Sequence, residues 1–335
     1  MHSMTTLVDL PALEEGDRVN APLLVREVRQ RRQANGDPYT VLTLGNSTGA
    51  LESEPFWPHR QEVVRGIRAG HVVMTQGHVS LYRDRRQLTV LSLRVLTPES
   101  IDWGDLLPSV GSVDRFWEVL DAWRRDVAKP RLRAVLDAFY EADTFRHAYE
   151  QCPAAVRGHH AMLGGLLKHT VEVAAIGRTI ARTSGADPDL VLAGALLHDI
   201  GKLETYRWDG MFRYTERGRL IGHVALGALM LENRLRETVP HPCTDAERDM
   251  LLHLVLSHHG RLEFGSPVVP ATLEADVLHW ADIASAKTTS FVDVLRDPEQ
   301  FAHGEFSTPQ WTLDHRRVYR GSSDWGVQDG EGRSP

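Results

Sequence analysis

Five histidines and two aspartates in the second half of the chain have the chemistry to bind divalent metal ions. Each lies at or near an end of a predicted helix, and the set comprises His169, His198, Asp199, His223, His258, His259 and Asp282. Metal sites without cysteine use imidazole and carboxylate ligands, and a set of this size suffices for two metal ions with open positions. The two cysteines, Cys152 and Cys243, lie 91 positions apart with no CxxC pair, which excludes a thiolate zinc site and a disulfide framework.

His198 and Asp199 follow a segment that predicts a central, buried helix. Residues 190–197 are apolar on every face of a helix, and Asp187 before a proline is a good N-cap. We expect Gly201 to act as the C-terminal stop, which places His198 and Asp199 on the last turn. A buried carboxylate without a cationic partner is strongly disfavoured, so a metal ion is a natural companion for Asp199.

A single histidine of this kind is more often a satisfied core residue than a ligand. That alternative holds for His169 or His223 taken alone. The core-residue alternative is weaker for the seven candidate ligands taken together, because four separate predicted helices each place a polar group on an apolar background. Four further histidines stay open between packing, surface exposure and contact with the site: His159, His160, His253 and His279.

Length and composition predict two globular domains of opposite charge. The 335 residues are about twice a typical domain, and 42 % hydrophobic with 25 % charged residues is ordinary globular usage. Residues 18–94 contain twelve arginines, no lysine and six acids, a balance of +6, which leaves −13 for the rest of a chain of net charge −7. The basic part favours nucleic acid as a partner although the bulk charge does not.

The chain has neither a membrane-spanning pattern nor a signal-peptide pattern. Its eight-residue apolar run at 190–197 is far short of the roughly 20 residues that cross a bilayer. The first six residues carry no Lys or Arg and no apolar block. We therefore expect a cytoplasmic protein with no membrane partner.

The basic part reads as a small β-barrel, with domain limits at residues 16–97 after an N-terminal extension at 1–15. Strands are predicted at 19–28, 39–44, 72–81 and 87–95, with a hairpin turn at 35–38. The turn at 45–49 after "YTVLTL" is similar to the strand-turn pattern of OB-folds that bind oligonucleotides. We therefore predict an OB-fold-like nucleic-acid-binding domain.

Arginines and aromatic residues alternate along this barrel, a mixture that single strands prefer. We select Arg31, Tyr39, Trp57 and Arg85 as candidate substrate contacts. The competing interpretation is that the aromatic rings belong to the core and the arginines form a solvated edge.

Beyond a predicted linker at 98–112, the hydrophobic period changes to that of helices. Helices are predicted at 113–126, 130–142, 160–183, 188–200, 223–237, 245–259 and 273–295. The fold class is therefore a multidomain β plus all-α chain, with an all-helical domain at 113–319. A tail at 320–335, rich in Gly, Ser and Asp, is predicted to be disordered.

Five segments resemble the HD superfamily of metal-dependent phosphohydrolases, and more closely the YhaM family of 3′-5′ exoribonucleases. They are "HHAMLGGLLKHT", "AGALLHDIGKLETY", "GRLIGHVALG", "LLHLVLSHHGRLEFGSPVVP" and "EADVLHWADIASAK". That family also carries an N-terminal OB-fold, so the resemblance covers nearly the whole chain. One departure is Asn46, where the family's barrel leads us to expect an acidic residue.

The resemblance implies a binuclear centre and a substrate. One metal would be held by His169, His198, Asp199 and Asp282, and the other by Asp199, His223, His258 and His259, with Asp199 as the bridge and a catalytic residue. Lys202 would be a catalytic phosphate contact, although a cation at a helix C-terminus also has a purely structural use. Lys287 is a weaker phosphate candidate. The substrate would be single-stranded RNA, with DNA as a variant, degraded 3′-5′ to nucleoside monophosphates.

Imidazole with carboxylate favours a first-row ion, so we expect two divalent ions, Mn²⁺ first and Co²⁺ or Fe²⁺ as alternatives. Two other functions stay open. The same metal chemistry would serve a phosphohydrolase of small nucleotides, such as deoxynucleotides, signalling nucleotides or cyclic dinucleotides, although the GYP signature of cyclic-dinucleotide phosphodiesterases is missing. A non-catalytic nucleic-acid-binding protein is the third alternative, and a homo-oligomer is compatible with the sequence.

Overall fold

The computed structural model describes residues 7–33, 36–83, 85–97, 103–301 and 304–321. Parts of four predictions lie outside these residues. They are the start of the N-terminal extension at 1–6, Asn35 of the hairpin turn, 98–102 of the linker, and 322–335 of the tail.

The N-terminal part forms a closed five-stranded barrel with ring order β1-β2-β3-β5-β4. Its strands are β1 (Arg18–Arg32), β2 (Pro38–Gly45), β3 (Ala50–Ser53), β4 (Val72–Tyr82) and β5 (Arg85–Val95). The barrel closes through a parallel pairing of β3 with β5, whereas the other neighbours are antiparallel. This topology is consistent with the predicted OB-fold. β3 was not singled out from the sequence, because a four-residue strand containing a glutamate has almost no β signal.

Asn46, the departure from the expected barrel pattern, is a structural residue in the turn after β2. Its side chain is buried, and its Nδ2 donates to the Val8 carbonyl at 2.6 Å. Its Oδ1 accepts from the Thr48 backbone N–H at 3.0 Å and lies 2.7 Å from the Thr48 hydroxyl. An amide can donate to one segment and accept from another, which a carboxylate cannot do. Asn46 therefore ties the start of the chain to the barrel.

The rest of the chain is mainly helical, which confirms the predicted fold class. The helices are α1 (Asp114–Asp126), α2 (Pro130–Tyr140), α3 (Asp143–Gln151), α4 (Gly165–Ser184), α5 (Pro188–Leu197), α6 (Lys202–Thr205), α7 (Glu216–Ile221), α8 (His223–Glu237), α9 (Asp245–Ser257) and α10 (Leu273–Arg296). None of the helices in the described ranges combines the length and apolar character needed to cross a bilayer.

Two local features differ from the all-helical expectation. A two-stranded ribbon, β6 (Tyr206–Arg207) and β7 (Arg213–Tyr214), interrupts the helices. The helix predicted to begin at 160 begins at Gly165, because His160 and Gly164 both have positive φ values of 53° and 75°. A left-handed backbone ends helical hydrogen bonding, so His160 lies in the loop before α4.

α5 is the central helix, as its apolar sequence predicts, and it packs among α2, α4, α9 and α10. Its N-cap Asp187 accepts hydrogen bonds from two backbone N–H groups of the first turn. Gly201 is not the C-terminal stop of α5, since the helix ends at Leu197 and Gly201, with φ −65°, is the residue before α6. A Cβ on Gly201 would lie 2.0 Å from the His223 carbonyl oxygen. The glycine is needed because the start of α8 approaches this backbone closely.

A small apolar cluster joins the barrel to the helical part. Leu24 and Val72 of the barrel pack with Leu106, Leu107 and Leu163, and all five side chains are buried. Two of these leucines belong to the segment predicted as a linker. The two halves therefore share a packed interface along this segment.

Candidate metal centre

The carboxylate of Asp199 lies at the middle of a cluster of histidines. Its Oδ2 is 3.1 Å from His198 Nε2 and 3.6 Å from His169 Nε2. Its Oδ1 is 3.5 Å from His223 Nε2 and 3.8 Å from His258 Nε2. The two oxygens of one carboxylate thus face two different pairs of imidazoles.

The other two predicted ligands complete the cluster at its two ends. Asp282 Oδ1 is 3.0 Å from His169 Nε2, and His259 Nε2 is 3.2 Å from His223 Nε2. Ligand atoms of His169, His198 and Asp199 lie within 4.8 Å of one another, and those of the other three histidines form a second such group. The structure therefore brings all seven predicted side chains together.

Five elements contribute these side chains, and close backbone approaches position them. His169 lies on α4 and Asp282 on α10, while the others lie on the turns after α5 and α9 and on the first residue of α8. Gly260, with φ +76°, follows the turn after α9, and a Cβ there would lie 2.2 Å from the His279 ring. Both its backbone conformation and this contact require glycine.

Hydrogen bonds on the outer nitrogens orient three of the rings. In each ring Nδ1 lies within hydrogen-bond distance of a backbone carbonyl: His198 to Ala195 O at 2.8 Å, His258 to Val255 O at 2.7 Å, and His259 to Phe264 O at 2.7 Å. A carbonyl only accepts, so Nδ1 carries the hydrogen, and in the neutral ring Nε2 keeps its lone pair. Such outer partners are typical of metal-binding histidines. In all three rings, the nitrogen that faces the cluster is the one free to bind a cation.

Hydrogen bonds between side chains orient the His169 ring in the same way. The Ser285 hydroxyl donates to Glu172 Oε2 at 2.9 Å, and its oxygen lies 3.1 Å from His169 Nδ1. Since the serine hydrogen is already used, Ser285 accepts from Nδ1–H, which leaves the lone pair on Nε2. His160 Nε2 donates to the same Glu172 oxygen at 2.7 Å. Sequence reasoning missed Glu172 and Ser285, although each lies three residues after a predicted ligand on the same helix face.

Three buried atoms in the cluster have no hydrogen-bond partner within the described parts of the chain. They are His198 Nε2, Asp199 Oδ1 and His258 Nε2. Leaving such a group unsatisfied costs about 1–3 kcal/mol each. A divalent cation would accept these lone pairs and balance the carboxylates, so the residues present fit a metal ion.

Burial keeps most of these imidazoles neutral. It lowers the pKa of His169 and His258, and it lowers that of His223 to about 3. Burial would also lower the pKa of His198, but the adjacent Asp199 carboxylate raises it above the ordinary value. Metal binding needs the unprotonated nitrogen, which the lowered pKa values of these three histidines favour.

The two carboxylates are ionised. Burial alone would raise the pKa of Asp199, but the Lys202 ammonium and the His198 ring hold it well below the usual range. Lys202 Nζ lies 2.5 Å from Asp199 Oδ2, and its side chain is only 9 % exposed. The His169 ring, whose Nε2 lies 3.0 Å from Asp282 Oδ1, likewise outweighs burial and lowers the pKa of Asp282. The cluster therefore presents two full negative charges to a cation.

Lys287 is engaged away from the cluster. Its Nζ donates to the Thr312 carbonyl and to both oxygens of Asp314, each at 3.0 Å. Its role as a phosphate contact, predicted from the resemblance, is therefore the weaker of the two lysine assignments. Of the two, only Lys202 lies against a cluster residue.

The barrel residues selected from the sequence flank two hairpin loops. Arg31 and Tyr39 are cross-strand partners beside the β1–β2 loop, and the Tyr39 and Trp57 rings lie 5.2 Å apart. Arg85 pairs with Tyr82 at the β4–β5 loop. Trp57 and Tyr82 are 38 % and 58 % exposed, so neither ring belongs to the barrel core. These two loops and the strands between them are the usual binding face of an OB-fold.

The four histidines whose roles the sequence leaves undecided make different contacts in the structure. The His159 ring lies 5.8 Å from that of His169, and His160 belongs to the Glu172 network described above. His253 Nε2 accepts from the Ala271 N–H at 2.9 Å. His279 Nδ1 donates to the His258 carbonyl at 2.9 Å and so supports the turn that carries a predicted ligand.

Comparison with known proteins also indicates a metal-binding domain in this part of the chain. The HD domain family matches residues 166–287, which include all seven clustered side chains. The 3′-5′ exoribonuclease YhaM of Shouchella clausii is 29 % identical over 311 residues, 92 % of this chain and 94 % of that protein. The YhaM proteins of Oceanobacillus iheyensis and Bacillus subtilis are each 28 % identical, over 91 % and 92 % of this chain and 94 % and 96 % of their own lengths. Residues 166–287 are therefore an HD domain, which is a metal-dependent phosphohydrolase domain, and the chain is similar over nearly its whole length to the YhaM 3′-5′ exoribonucleases.

Proposed function

We propose that this protein degrades single-stranded RNA from the 3′ end and releases nucleoside monophosphates. The observation that carries the proposal is the cluster itself: seven side chains converge, and three of their buried atoms lack any partner in the described residues. The relatives named as exoribonucleases supply the substrate class and the polarity. The basic and aromatic surface of the attached barrel supports a single strand as the substrate.

The cluster divides naturally into two ligand sets. His169, His198, Asp199 and Asp282 would hold one divalent ion, and Asp199 with the other three histidines would hold the second. Two such ions, when bound, activate water for attack on phosphorus and stabilise charge on the phosphate and leaving oxygens. The mixed nitrogen and oxygen donors favour Mn²⁺, with Co²⁺ or Fe²⁺ as alternatives.

The chain's own residues orient the metal-binding histidines and attract the substrate phosphate. The carbonyls behind three histidines and Ser285 behind the fourth keep each Nε2 aimed inward. Lys202 holds a positive charge at 2.5 Å from the shared carboxylate, where a substrate phosphate would also be attracted. No side-chain nucleophile is required, because water is the attacking group.

The barrel would hold the strand. Tyr39 and Trp57 present adjacent rings on which bases can stack, and Arg31 stands across the strand pair from Tyr39. Base stacking on such rings contributes about 1–3 kcal/mol per base. This arrangement explains why the basic domain accompanies an acidic one.

Labelled RNA and DNA single strands test the proposal. With Mn²⁺ supplied, a 5′-labelled RNA should shorten progressively, whereas a 3′-labelled RNA should release labelled mononucleotide from the first time point. Asp199→Asn should abolish both signals, and Asp143→Asn, an exposed aspartate on α3, should retain them. Hydrolysis of deoxynucleotides, signalling nucleotides or cyclic dinucleotides with no cleavage of either strand would replace the proposal with a small-nucleotide activity.

A further inference from the structure

A cleft of about 690 Å³ lies between the barrel and the helical part. It is bounded by β1, the connecting segment at 107–108, the loop before α4, and the β6–β7 ribbon with α7. The cleft is lined by four arginines, Arg26, Arg157, Arg213 and Arg219. Its described lining contains no acidic side chain. Three of these four arginines belong to the helical part, which is acidic overall.

Most of this charge is uncompensated. Arg213 has a carboxylate partner, Asp209, at 2.6 Å. Arg26, Arg157 and Arg219 have no carboxylate within ion-pair distance among the residues that the structure describes. Arg26 lies at a bulge of β1 and donates to the Asn46 carbonyl at 2.6 Å, so its own hydrogen bond is to a neutral oxygen of the barrel. Unpaired cations facing one cleft are suited to an anionic ligand.

Two segments that line the cleft are close in sequence to residues of the metal cluster. Arg157 precedes His159 by two residues, and the His159 ring is 5.8 Å from that of His169. The other segment, α7, carries Arg219 and ends at Ile221, two residues before His223. A strand lying in the cleft would therefore pass between two segments that each continue into the ligand set.

The cleft also offers an aromatic face. Tyr214 is 43 % exposed, and the Arg219 guanidinium lies 5.7 Å from its ring centroid. An arginine beside an exposed ring can contact a phosphate while the ring stacks on the neighbouring base. Both parts of a nucleotide thus find a partner on this wall.

We propose that this cleft carries the single strand from the barrel to the metal centre, with Arg157 and Arg219 contacting its phosphates and Tyr214 stacking on a base. The inference deepens the proposed function and rests on it for the substrate class. It assigns the passage between the two domains to residues that were not among the site candidates selected from the sequence.

Binding of a fluorescein-labelled uridine 15-mer, followed by anisotropy in EDTA so that the strand stays intact, tests the passage. Each lost phosphate contact on a single strand lowers the slope of log affinity against log salt by about 0.7. The double variant Arg157→Gln with Arg219→Gln should therefore lower the slope by about 1.4 and the affinity by about 25-fold at 0.1 M salt. The double lysine variant should recover most of this loss, since it keeps both charges.

Arg217→Gln is the matched control. Arg217 lies on the same helix, is exposed, pairs with Glu204 at 2.9 Å and does not line the cleft. It should bind the 15-mer as the unchanged protein does. Because Arg157 and Arg219 are both exposed, the thermal unfolding temperature of the double variant should match that of the unchanged protein.

Two results would overturn the inference. Unchanged affinity and slope in the double variant would show that the strand does not use the cleft, and the proposed function would stand if the unchanged protein still degrades RNA with Mn²⁺. Failure of the unchanged protein to bind the 15-mer would refute the passage outright. The separate hydrolysis assay then decides the proposed function by itself.

Discussion

Replacing Ser285 with alanine removes the hydroxyl that joins His169 to Glu172. His169 Nδ1 then loses its acceptor at 3.1 Å in a fully buried position, while Glu172 keeps His160 as a donor. The ring becomes free to rotate or to change tautomer, and either change withdraws the lone pair from the cluster. We expect the loss to appear both in metal affinity and in the stability of the metal-free protein.

The magnitude follows from two general results. Loss of an outer partner of a metal-binding histidine weakens metal affinity about 10- to 100-fold. A metal ion that binds only the folded state stabilises it in proportion to the logarithm of the metal concentration divided by the Kd for the metal. A 10- to 100-fold weaker affinity therefore removes about 1.4–2.7 kcal/mol of the Mn²⁺-induced stabilisation at saturating metal. In EDTA, an unpaired buried N–H costs about 1–3 kcal/mol.

Ser290→Ala is the matched comparison. Ser290 is also a buried serine on α10, but its hydroxyl donates to the Ala286 carbonyl of the same helix at 2.9 Å and contacts no cluster residue. Denaturant unfolding with and without Mn²⁺ should show full metal-induced stabilisation for Ser290→Ala and reduced stabilisation for Ser285→Ala. Equal metal-induced stabilisation of both variants and the unchanged protein would refute the idea that Ser285 orients His169.

Three other changes give expected outcomes. Trp57→Ala should weaken binding of a single-stranded RNA by about 1–3 kcal/mol in an anisotropy titration, since its ring is half-exposed beside Tyr39, and unchanged binding would remove this ring from the binding face. Gly201→Ala would place a Cβ 2.0 Å from the His223 carbonyl, so the free energy of unfolding should fall by about 1–3 kcal/mol or more, and a wild-type denaturation midpoint would contradict that approach. Lys202→Gln should lower kcat on RNA by about 10²–10³ with the bound metal retained, and a wild-type kcat would reduce Lys202 to a structural cation.

Sequence patterns anticipated the two-part architecture because each part has its own hydrophobic period. The central helix α5 and its N-cap Asp187 follow from the apolar run at 190–197 and the proline after Asp187, and the fold class is confirmed. The cluster could be anticipated because its members are polar residues on apolar helices, and the resemblance supplied their grouping. The assignment of ions to each ligand set, the identity of the metal and a homo-oligomeric state stay predictions.

Other features depend on contacts between distant segments and leave little trace in the sequence. The carbonyls that orient three of the histidines belong to Ala195, Val255 and Phe264, whose side chains say nothing about a hydrogen bond on the backbone. Gly201 resembles a helix stop, yet its glycine is required by the approach of α8. The arginines of the cleft come from four separate segments, so no local motif could group them.

The number of metal ions bound per chain tests the central claim most directly. After loading with Mn²⁺ and dialysis, elemental analysis of the unchanged protein should give close to two ions per chain, because the shared Asp199 carboxylate faces both ligand sets. Asp199→Asn should bind less than one ion, and Asp143→Asn should bind as the unchanged protein does. Two ions retained by Asp199→Asn, or none bound by the unchanged protein, would contradict the account.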